Sequence, residues 1–392
     1  MAPLEAATLP TPADSLPSTI EAATATLVTR YASAEQQLIR DSSAIVAKYA
    51  ADPAPVVRAA MALELQAVAR RIAYSLGTAS GELANSVAVE AARRGNSAGI
   101  REVTTALRNH PALKTLYTRN TGDGTTAHGL NAAQHIARDL TSRLTAVEYR
   151  ITRFADDAYR AATSHAAMGQ VTGRTPQLAQ REAWRALTAG GVAGFTDAKG
   201  RDWELSTYVE MATRTAAIRA YNESHQDRMT ALGVQYWTVG PTGFPCKLCL
   251  PWEGQVLSVG GAGVVTTPAA DGGDAVTFQV AGTLDEARAA GLQHPNCKHT
   301  LVAFFPGVTQ LVTRTPDEID QAVERFKETQ RLRAMERAVR QSKMAELASL
   351  NDTDRAAARR RTRELQAQIR AYTDQTGLMR RSRREQLDLG NK

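Results

Sequence analysis

The chain has 392 residues, 43% hydrophobic but only 5% aromatic, and carries 47 lysines and arginines against 40 acids. This length can form two or three domains, and the alanine-rich composition favours long helices over a large aromatic sheet core. Without a signal peptide or a bilayer-length apolar run, and with only three cysteines, it is predicted to fold in a cytoplasm and to be neither secreted nor membrane-spanning.

The net charge of +7 suits a nucleic acid or an acidic protein partner, although an ordinary solvated surface has the same charge. Residues 1–18 are rich in Pro, Ser, Thr and Ala and predict a flexible arm. Ser18 and Glu21 have the spacing of a capping box, which predicts a helix from there to about Ala50. It opens an N-terminal helical region that we place at residues 19–125.

A second helical pattern follows Pro53, with apolar residues recurring every three or four positions. Three glycines within it, Gly77, Gly81 and Gly95, predict that it divides into shorter helices. The composition of residues 119–124 then predicts a loop.

A long amphipathic helix is predicted at residues 131–168, inside a connector that we place at residues 126–190. We interpret the arginines on its outer face first as a solvated surface and second as a DNA or partner surface. These arginines are Arg138, Arg143, Arg150, Arg153 and Arg160.

Residues 191–312 predict a small α+β module. Residues 195–203 have the pattern of a short hairpin that turns at Lys199 and Gly200. The predicted elements that follow are a helix at 205–232, a strand at 234–239, a glycine-rich stretch at 260–273, a strand at 276–280, a helix at 284–290 and a closing strand at 301–305. On the helix, Glu210 and Arg214 are four residues apart and predict an ion pair on the surface of a core helix.

Residues 313–392 predict two long basic helices, one from Pro316 to a turn at 350–353 and one at 354–387. Such charged helices with thin apolar stripes need a neighbour: each other, another subunit or a partner. The candidate contacts to a partner or to DNA are Arg359, Arg360, Arg361, Arg380, Arg381, Arg383 and Arg384. The predicted fold class is therefore α+β and mainly helical, with the small module between helical regions.

All three cysteines lie in a split cluster, Cys246-Lys-Leu-Cys249 and His294-Pro-Asn-Cys297-Lys-His299. Three thiolates and one imidazole, from either His294 or His299, complete a tetrahedral zinc site. Four protein ligands leave no open position on the metal, so we expect structural rather than catalytic zinc. The alternative is a group of free buried thiols beside a capping histidine.

Two enzymatic interpretations use the same residues. A zinc deaminase also needs an upstream H-x-E, and none of the five earlier histidines has Glu two residues later, so that interpretation fails. An HNH-type nuclease would use His294, Asn296 and His299, but no acid cluster is evident for its magnesium. We expect no enzymatic activity; a zinc-dependent nuclease, a genome-delivered effector and a free zinc-knuckle nucleic-acid adaptor stay open as alternatives.

Several motifs taken together resemble the tailed-phage minor capsid protein 2 family and the wider group of Mu F-like head morphogenesis proteins. They lie at residues 203–215, 220–225, 246–254, 294–299 and 306–307. Residues 330–343 are similar to the helical tail of that family, and the resemblance covers roughly residues 125–385. The family motif commonly has Arg where this chain has Lys298, which keeps the charge but loses bidentate anion contact.

The resemblance implies a virion component present in few copies, located inside the head near the portal vertex and made in the host cytoplasm. The implied partners are the portal protein and the major capsid or scaffold protein, with packaged DNA as a further candidate and no membrane. Some relatives carry toxin domains after the Mu F-like module, whereas this chain ends in basic helices, so no such activity is implied.

Overall fold

The computed structural model describes residues 16–49, 55–113, 127–163, 176–189, 191–192, 195–196, 200, 202–242, 245–295, 297 and 299–388. The α-helices in these ranges are α1 (Leu16–Tyr49), α2 (Pro55–Asn109), α3 (Ala127–Thr163), α4 (Pro176–Thr188), α5 (Leu205–Ala231), α6 (Leu284–Ala289), α7 (Pro316–Leu347) and α8 (Asp352–Thr376). The strands are β1 (Phe195–Thr196), β2 (Asp202–Trp203), β3 (Tyr236–Val239), β4 (Val256–Ser258), β5 (Gly263–Pro268), β6 (Ala275–Thr283) and β7 (Leu301–Ala303). The mainly helical α+β class is confirmed.

The chain forms two compact units, each built from three separate stretches of sequence. Unit 1 comprises Met1–Thr24, Asn85–Asp139 and Arg214–Lys327, and unit 2 comprises Ala25–Ala84, Leu140–Thr213 and Glu328–Lys392. Each unit therefore combines parts of several of the consecutive segments that were predicted from the sequence. Within the described ranges, no helix is both long and apolar enough to cross a membrane.

Unit 1 contains a five-stranded sheet in the order β5-β6-β4-β3-β7, antiparallel except between β4 and β6. The main core of the unit is a cluster that includes Trp237 and Phe305, packed with Val103 and Ala106 of α2 and Met229 of α5. A smaller cluster is formed by Val256, Val280 and Phe304, with Tyr236, Val265 and Phe278 packed against it.

Unit 2 holds the predicted hairpin, with Phe195 paired to Trp203, and the long C-terminal helices. Residues of α7 and α8 form one apolar cluster, which includes Val339 and Ile369, so these helices pack on each other. The buried Trp184 of α4 donates its indole N–H to the carbonyl of Ala348, 2.7 Å away.

The expected interruption of α2 at Gly77, Gly81 and Gly95 is wrong, because the helix continues through all three. A helical glycine costs only about 1 kcal/mol relative to alanine, which burial of the apolar stripe offsets. Gly95 has a packing reason as well. A Cβ at this position would lie 2.1 Å from the carbonyl oxygen of Tyr221, so the backbones of α2 and α5 approach closely only with glycine there.

The second C-terminal helix is shorter than expected. It ends at Thr376 rather than at Leu387, because Gly377 adopts a left-handed φ of 65° and donates its N–H to the Thr373 carbonyl. This is an αL C-cap, in which glycine has no Cβ penalty. The chain then turns back and forms a short 3₁₀ helix at Ser382–Glu385.

Other boundaries differ by a few residues. Helix α1 begins at Leu16, so Ser18 lies inside it and is not its N-cap. The glycine-rich stretch contains β5, and β4 precedes it; neither strand is predicted, because both are short or glycine-flanked. The predicted loop at 119–124, the helix end at 164–168 and Lys199 lie outside the described residues.

Candidate metal centre

The sheet brings the two halves of the Cys/His cluster together. Strands β3 and β7 are antiparallel, with Val239 opposite Leu301. The segment that follows β3 therefore lies beside the segment that precedes β7, although some fifty residues separate the two in the chain. Val239 also bridges to Glu253 and accepts the N–H of Gly254, which holds the returning end of the first segment against the same strand.

A tight turn forms the first pair of ligands. The N–H groups of Cys249 and Leu250 both donate to the carbonyl of Cys246, at 3.2 and 3.0 Å, and Leu250–Trp252 continue as a 3₁₀ helix. This turn places both cysteine side chains on one side of the knuckle. Cys249 is fully buried, whereas Cys246 is half-buried.

The second group of ligands follows α6. Gly291 has a φ of 108°, and a Cβ there would lie 3.1 Å from the Cβ of Leu248, so the turn needs glycine both for its conformation and for its approach to the knuckle. A further turn closes where the N–H of Cys297 donates to the carbonyl of His294 at 2.9 Å. His299 then leads into β7.

The five predicted ligand residues lie together in two overlapping groups. One contains Cys246, Cys249 and His294, the other Cys249, Cys297 and His299, and within each group the ligand atoms lie within 4.8 Å of one another. The sulfurs of Cys249 and Cys297 are 3.5 Å apart. That is close to the edge of about 3.8 Å in a tetrahedron with Zn–S bonds of about 2.3 Å. Each group could therefore hold a metal ion, and neither contains all four ligands of the expected zinc site.

The two histidines differ in their hydrogen-bond partners. His294 Nδ1 lies 2.7 Å from the carbonyl of Pro295 and donates to it, and His294 Nε2 lies 2.8 Å from the Cys246 sulfur. His299 instead places Nε2 2.8 Å from the Glu253 carboxylate and Nδ1 3.4 Å from the Cys297 sulfur. Each histidine therefore has one nitrogen near a cluster sulfur and the other hydrogen-bonded to an oxygen, the Pro295 carbonyl for His294 and the Glu253 carboxylate for His299.

Within the buried group, the pKa values of the two neighbouring cysteines shift in opposite directions. The hydrogen bond from Cys249 lowers the pKa of Cys297 to about 4, and the neighbouring His299 adds to this effect, while the pKa of Cys249 rises because its proton is held by Cys297. Burial opposes a charged His299, but the hydrogen bonds to Cys297 and Glu253 prevail and raise its pKa to about 9. Metal binding must displace thiol protons, so affinity rises with pH.

Glu253 and Arg314 support the cluster and were not predicted from the sequence. Although burial opposes it, the hydrogen bonds from His299 and Arg314 lower the pKa of the 3%-exposed Glu253 side chain. Arg314 donates to Glu253 at 2.6 Å and also to the carbonyl of Thr242. The one available signal was that Glu253 falls inside a family motif, between Trp252 and Gly254.

A second family motif, on α5, braces the same region. Asn222 donates its amide to the carbonyl of His299 at 3.3 Å. The buried His225 lies 2.9 Å from Glu102 of α2, whose other oxygen accepts the N–H of Ala303 in β7 at 2.6 Å. The motif therefore ties α2, α5 and the last strand of the sheet together. Asn296 and Lys298 lie outside the described residues.

The predicted contact arginines lie in unit 2 and divide by exposure. Exposed ones are Arg359, Arg360, Arg361, Arg381 and Arg383. Arg380 is partly buried against Glu385, at 2.7 Å. Arg384 points inward, 12% exposed, with a bidentate contact to Glu210 at 2.9 and 3.2 Å and a further contact to Glu336. Glu210 is thus buried rather than on the surface as predicted.

The sequence model of the family described as "Phage minor capsid protein 2" matches residues 16–374, nearly the whole chain. The chain belongs to this family. The match confirms the resemblance drawn from the motifs and adds the N-terminal helices α1 and α2, where no motif could be placed. No curated protein and no solved structure matches the chain. As a minor capsid protein, it has a structural role in a phage particle.

Proposed function

We propose that this minor capsid protein works inside the phage head, at or near the portal vertex, where it joins the portal to the major capsid or scaffold protein during assembly. The family match carries the proposal, because it spans residues 16–374 and so includes stretches of both compact units. We propose a structural rather than an enzymatic role, with the long helices as assembly elements and the Cys/His module as a rigid anchor.

The proposed anchor is a structural zinc ion bound by Cys246, Cys249, Cys297 and His294. These four residues combine a C-x2-C knuckle with an H-x2-C return, and the metal would supply a cross-link between the two segments. His294 is the preferred imidazole because its Nε2 lies 2.8 Å from the Cys246 sulfur while its Nδ1 donates to the Pro295 carbonyl, which orients the ring. We propose that His299, held by Glu253, instead donates to the Cys297 sulfur and offsets thiolate charge.

The proposed partner surface is the exposed face of α8 and the segment after it. Arg359, Arg360 and Arg361 are exposed there, as are Arg381 and Arg383. Arg359 and Arg361 also contact Glu346 and Glu364, but surface ion pairs of this kind contribute only about 0–1 kcal/mol and exchange readily. The surface can therefore bind packaged DNA or an acidic surface of the portal or scaffold.

Cross-linking mass spectrometry of purified procapsids and virions tests the proposed position. We expect the protein in both particles, at a copy number far below that of the major capsid protein, with cross-links to the portal protein. A Cys249→Ser variant, which removes the cysteine shared by both ligand groups, should enter fewer particles. Recovery of the protein only from the soluble lysate, or only cross-linked to tail proteins, would overturn the proposal.

A further inference from the structure

The two edge strands of the sheet in unit 1, β7 and β5, differ in how their outward backbone groups are hydrogen-bonded. At β7, the N–H of Ala303 donates to the Glu102 carboxylate of α2, so part of that edge is covered by a helix of the same unit. At the other edge, β5 pairs with β6 alone, and within the described residues no backbone hydrogen bond reaches β5 from outside this hairpin. Strand β5 therefore presents a row of open backbone donors and acceptors.

The hairpin also lacks the charges that usually protect an open edge. Neither β5 nor β6 contains a charged residue, in a chain that is 22% charged. Val264 is 71% exposed, and Thr266 shares its face with Thr277, to which its hydroxyl is hydrogen-bonded at 2.8 Å. Soluble proteins normally place lysine, proline or a bulge along such an edge, and here only Pro268, at the last position of β5, has that effect.

We propose that β5 is an association surface for a second copy of this chain, with the two β5 strands pairing antiparallel about a two-fold axis perpendicular to the sheet. An uncharged edge of valine and threonine offers nothing to select a charged partner, and its best complement is an equally uncharged strand. A second β5 is such a strand. In a protein of net charge +7, pairing through an uncharged element also keeps like charges away from the contact.

The axis keeps each face of the sheet continuous across the pair. Val264 and Thr266 of one copy then come beside the same two residues of the other, where β-branched cross-strand pairs are favourable. Six residues a side form an interface well below the roughly 1,200–2,000 Å² of a stable complex. The association is therefore weak and depends on concentration, which suits copies held close together in an assembly and leaves the dilute protein monomeric.

Sedimentation equilibrium of the full chain over a wide concentration range, at moderate salt, tests the inference. We expect a monomer–dimer equilibrium, weakened at least tenfold by Val264→Lys with Thr266→Lys, because like charges then meet across the two-fold axis. Both side chains are exposed, so the variant should unfold at the temperature of the wild type.

The matched control is Thr277→Lys with Gln279→Lys, which adds the same charge to exposed positions on the same face but one strand further from the edge. It should keep the wild-type equilibrium. A wild-type protein that stays monomeric at every concentration would overturn the proposal and leave the edge to a strand of another head protein. A dimer that survives the β5 substitutions, or that both variants weaken equally, would place the contact elsewhere.

Discussion

At the scale of single residues, the cluster places two imidazoles beside three sulfurs, and only one imidazole is needed for tetrahedral zinc. Their hydrogen-bond partners differ: the Pro295 carbonyl accepts from Nδ1 of His294, whereas Glu253 stabilises the charged ring of His299. A ligating histidine commonly donates its remote N–H to a carbonyl or to a carboxylate, so both neighbours suit a ligand. The proposed difference lies in the charge that Glu253 stabilises on His299.

This difference predicts separable effects of His294→Ala and His299→Ala. We expect one zinc per wild-type chain, and a Co²⁺-substituted protein with the absorption of a three-sulfur, one-nitrogen site. His294→Ala should abolish stoichiometric binding or change that spectrum, because it removes a ligand. His299→Ala should keep the spectrum and lower the affinity by about 10- to 100-fold, as loss of a supporting hydrogen bond does.

Metal content after dialysis, chelator competition and the Co²⁺ spectrum check this prediction. Cys249→Ser serves as the reference for complete loss, since both possible ligand groups contain that cysteine. If His299→Ala changes the spectrum and His294→Ala does not, the two histidines exchange roles. If the wild-type protein is fully folded and binds no zinc, the cluster is a group of buried thiols.

The members of the Cys/His cluster were predictable from the sequence because the spacing within each half is local. Cys246 and Cys249 are three residues apart, and so are His294 and Cys297, whatever the rest of the fold does. Glu253 and Arg314 were not predictable, because their roles depend on how β3 and β7 pair and on where the chain passes after the sheet. Long-range register has no signature in one sequence.

At the scale of elements, the C-terminal segment after α8 returns to the helices instead of extending α8. Gly377 ends the helix, Leu378 joins the cluster between α7 and α8, and Arg384 reaches Glu210 and Glu336. The pattern of arginines in the sequence suggested a continuous basic helix, since a lone glycine is a weak stop signal and burial of an arginine cannot be read from composition. The ion pairs with α5 and α7 are thus a tertiary effect.

Arg384→Met is expected to destabilise unit 2 by about 3–5 kcal/mol, because it removes a cation that is paired with the buried carboxylates of Glu210 and Glu336. Arg381→Met, which removes an exposed arginine from the same segment, should change stability by no more than about 0.5 kcal/mol. Chemical denaturation monitored by circular dichroism measures both. Adding Glu210→Gln and Glu336→Gln to Arg384→Met should recover part of the loss, and equal stability of the two arginine variants would contradict this account.

The helix predictions from the sequence succeeded where they relied on apolar periodicity and failed where they relied on glycine positions. The apolar stripes of α3, α5 and α7 fixed their existence and type, because helical periodicity is strong over several turns. The glycines of α2 led to the wrong prediction of a break, because Gly95 permits close contact with Tyr221 while the residues around it stay helical. Glycine permits backbone conformations that end a helix, but it does not require them. Only the packing around a glycine shows whether the helix continues or ends there.

At the scale of the whole molecule, only part of the positive charge behind the net +7 is exposed and available to bind a partner. Arg340 is buried, Arg384 is only 12% exposed, and both are occupied by contacts within unit 2, so they contribute little to a binding surface. Exposed arginines remain on α8 and on α3, where the sequence allowed either a solvated face or a DNA surface. Net charge alone cannot separate these two faces, but their salt dependence can.

We expect the full chain to bind duplex DNA without sequence preference and with an affinity that falls steeply as salt rises. Replacing Arg359, Arg360 and Arg361 by Gln should weaken binding and reduce the slope of log K against log salt by up to about 2.7, at about 0.9 for each lost phosphate contact. Replacing the exposed Arg143, Arg153 and Arg160 of α3 by Gln removes the same charge and should leave the slope nearly unchanged if that face is only solvated. Fluorescence anisotropy between about 50 and 200 mM salt gives both slopes.

Equal slopes for the two triple variants would assign DNA binding to net charge rather than to α8. No binding at the lowest salt would leave the α8 arginines to an acidic protein partner.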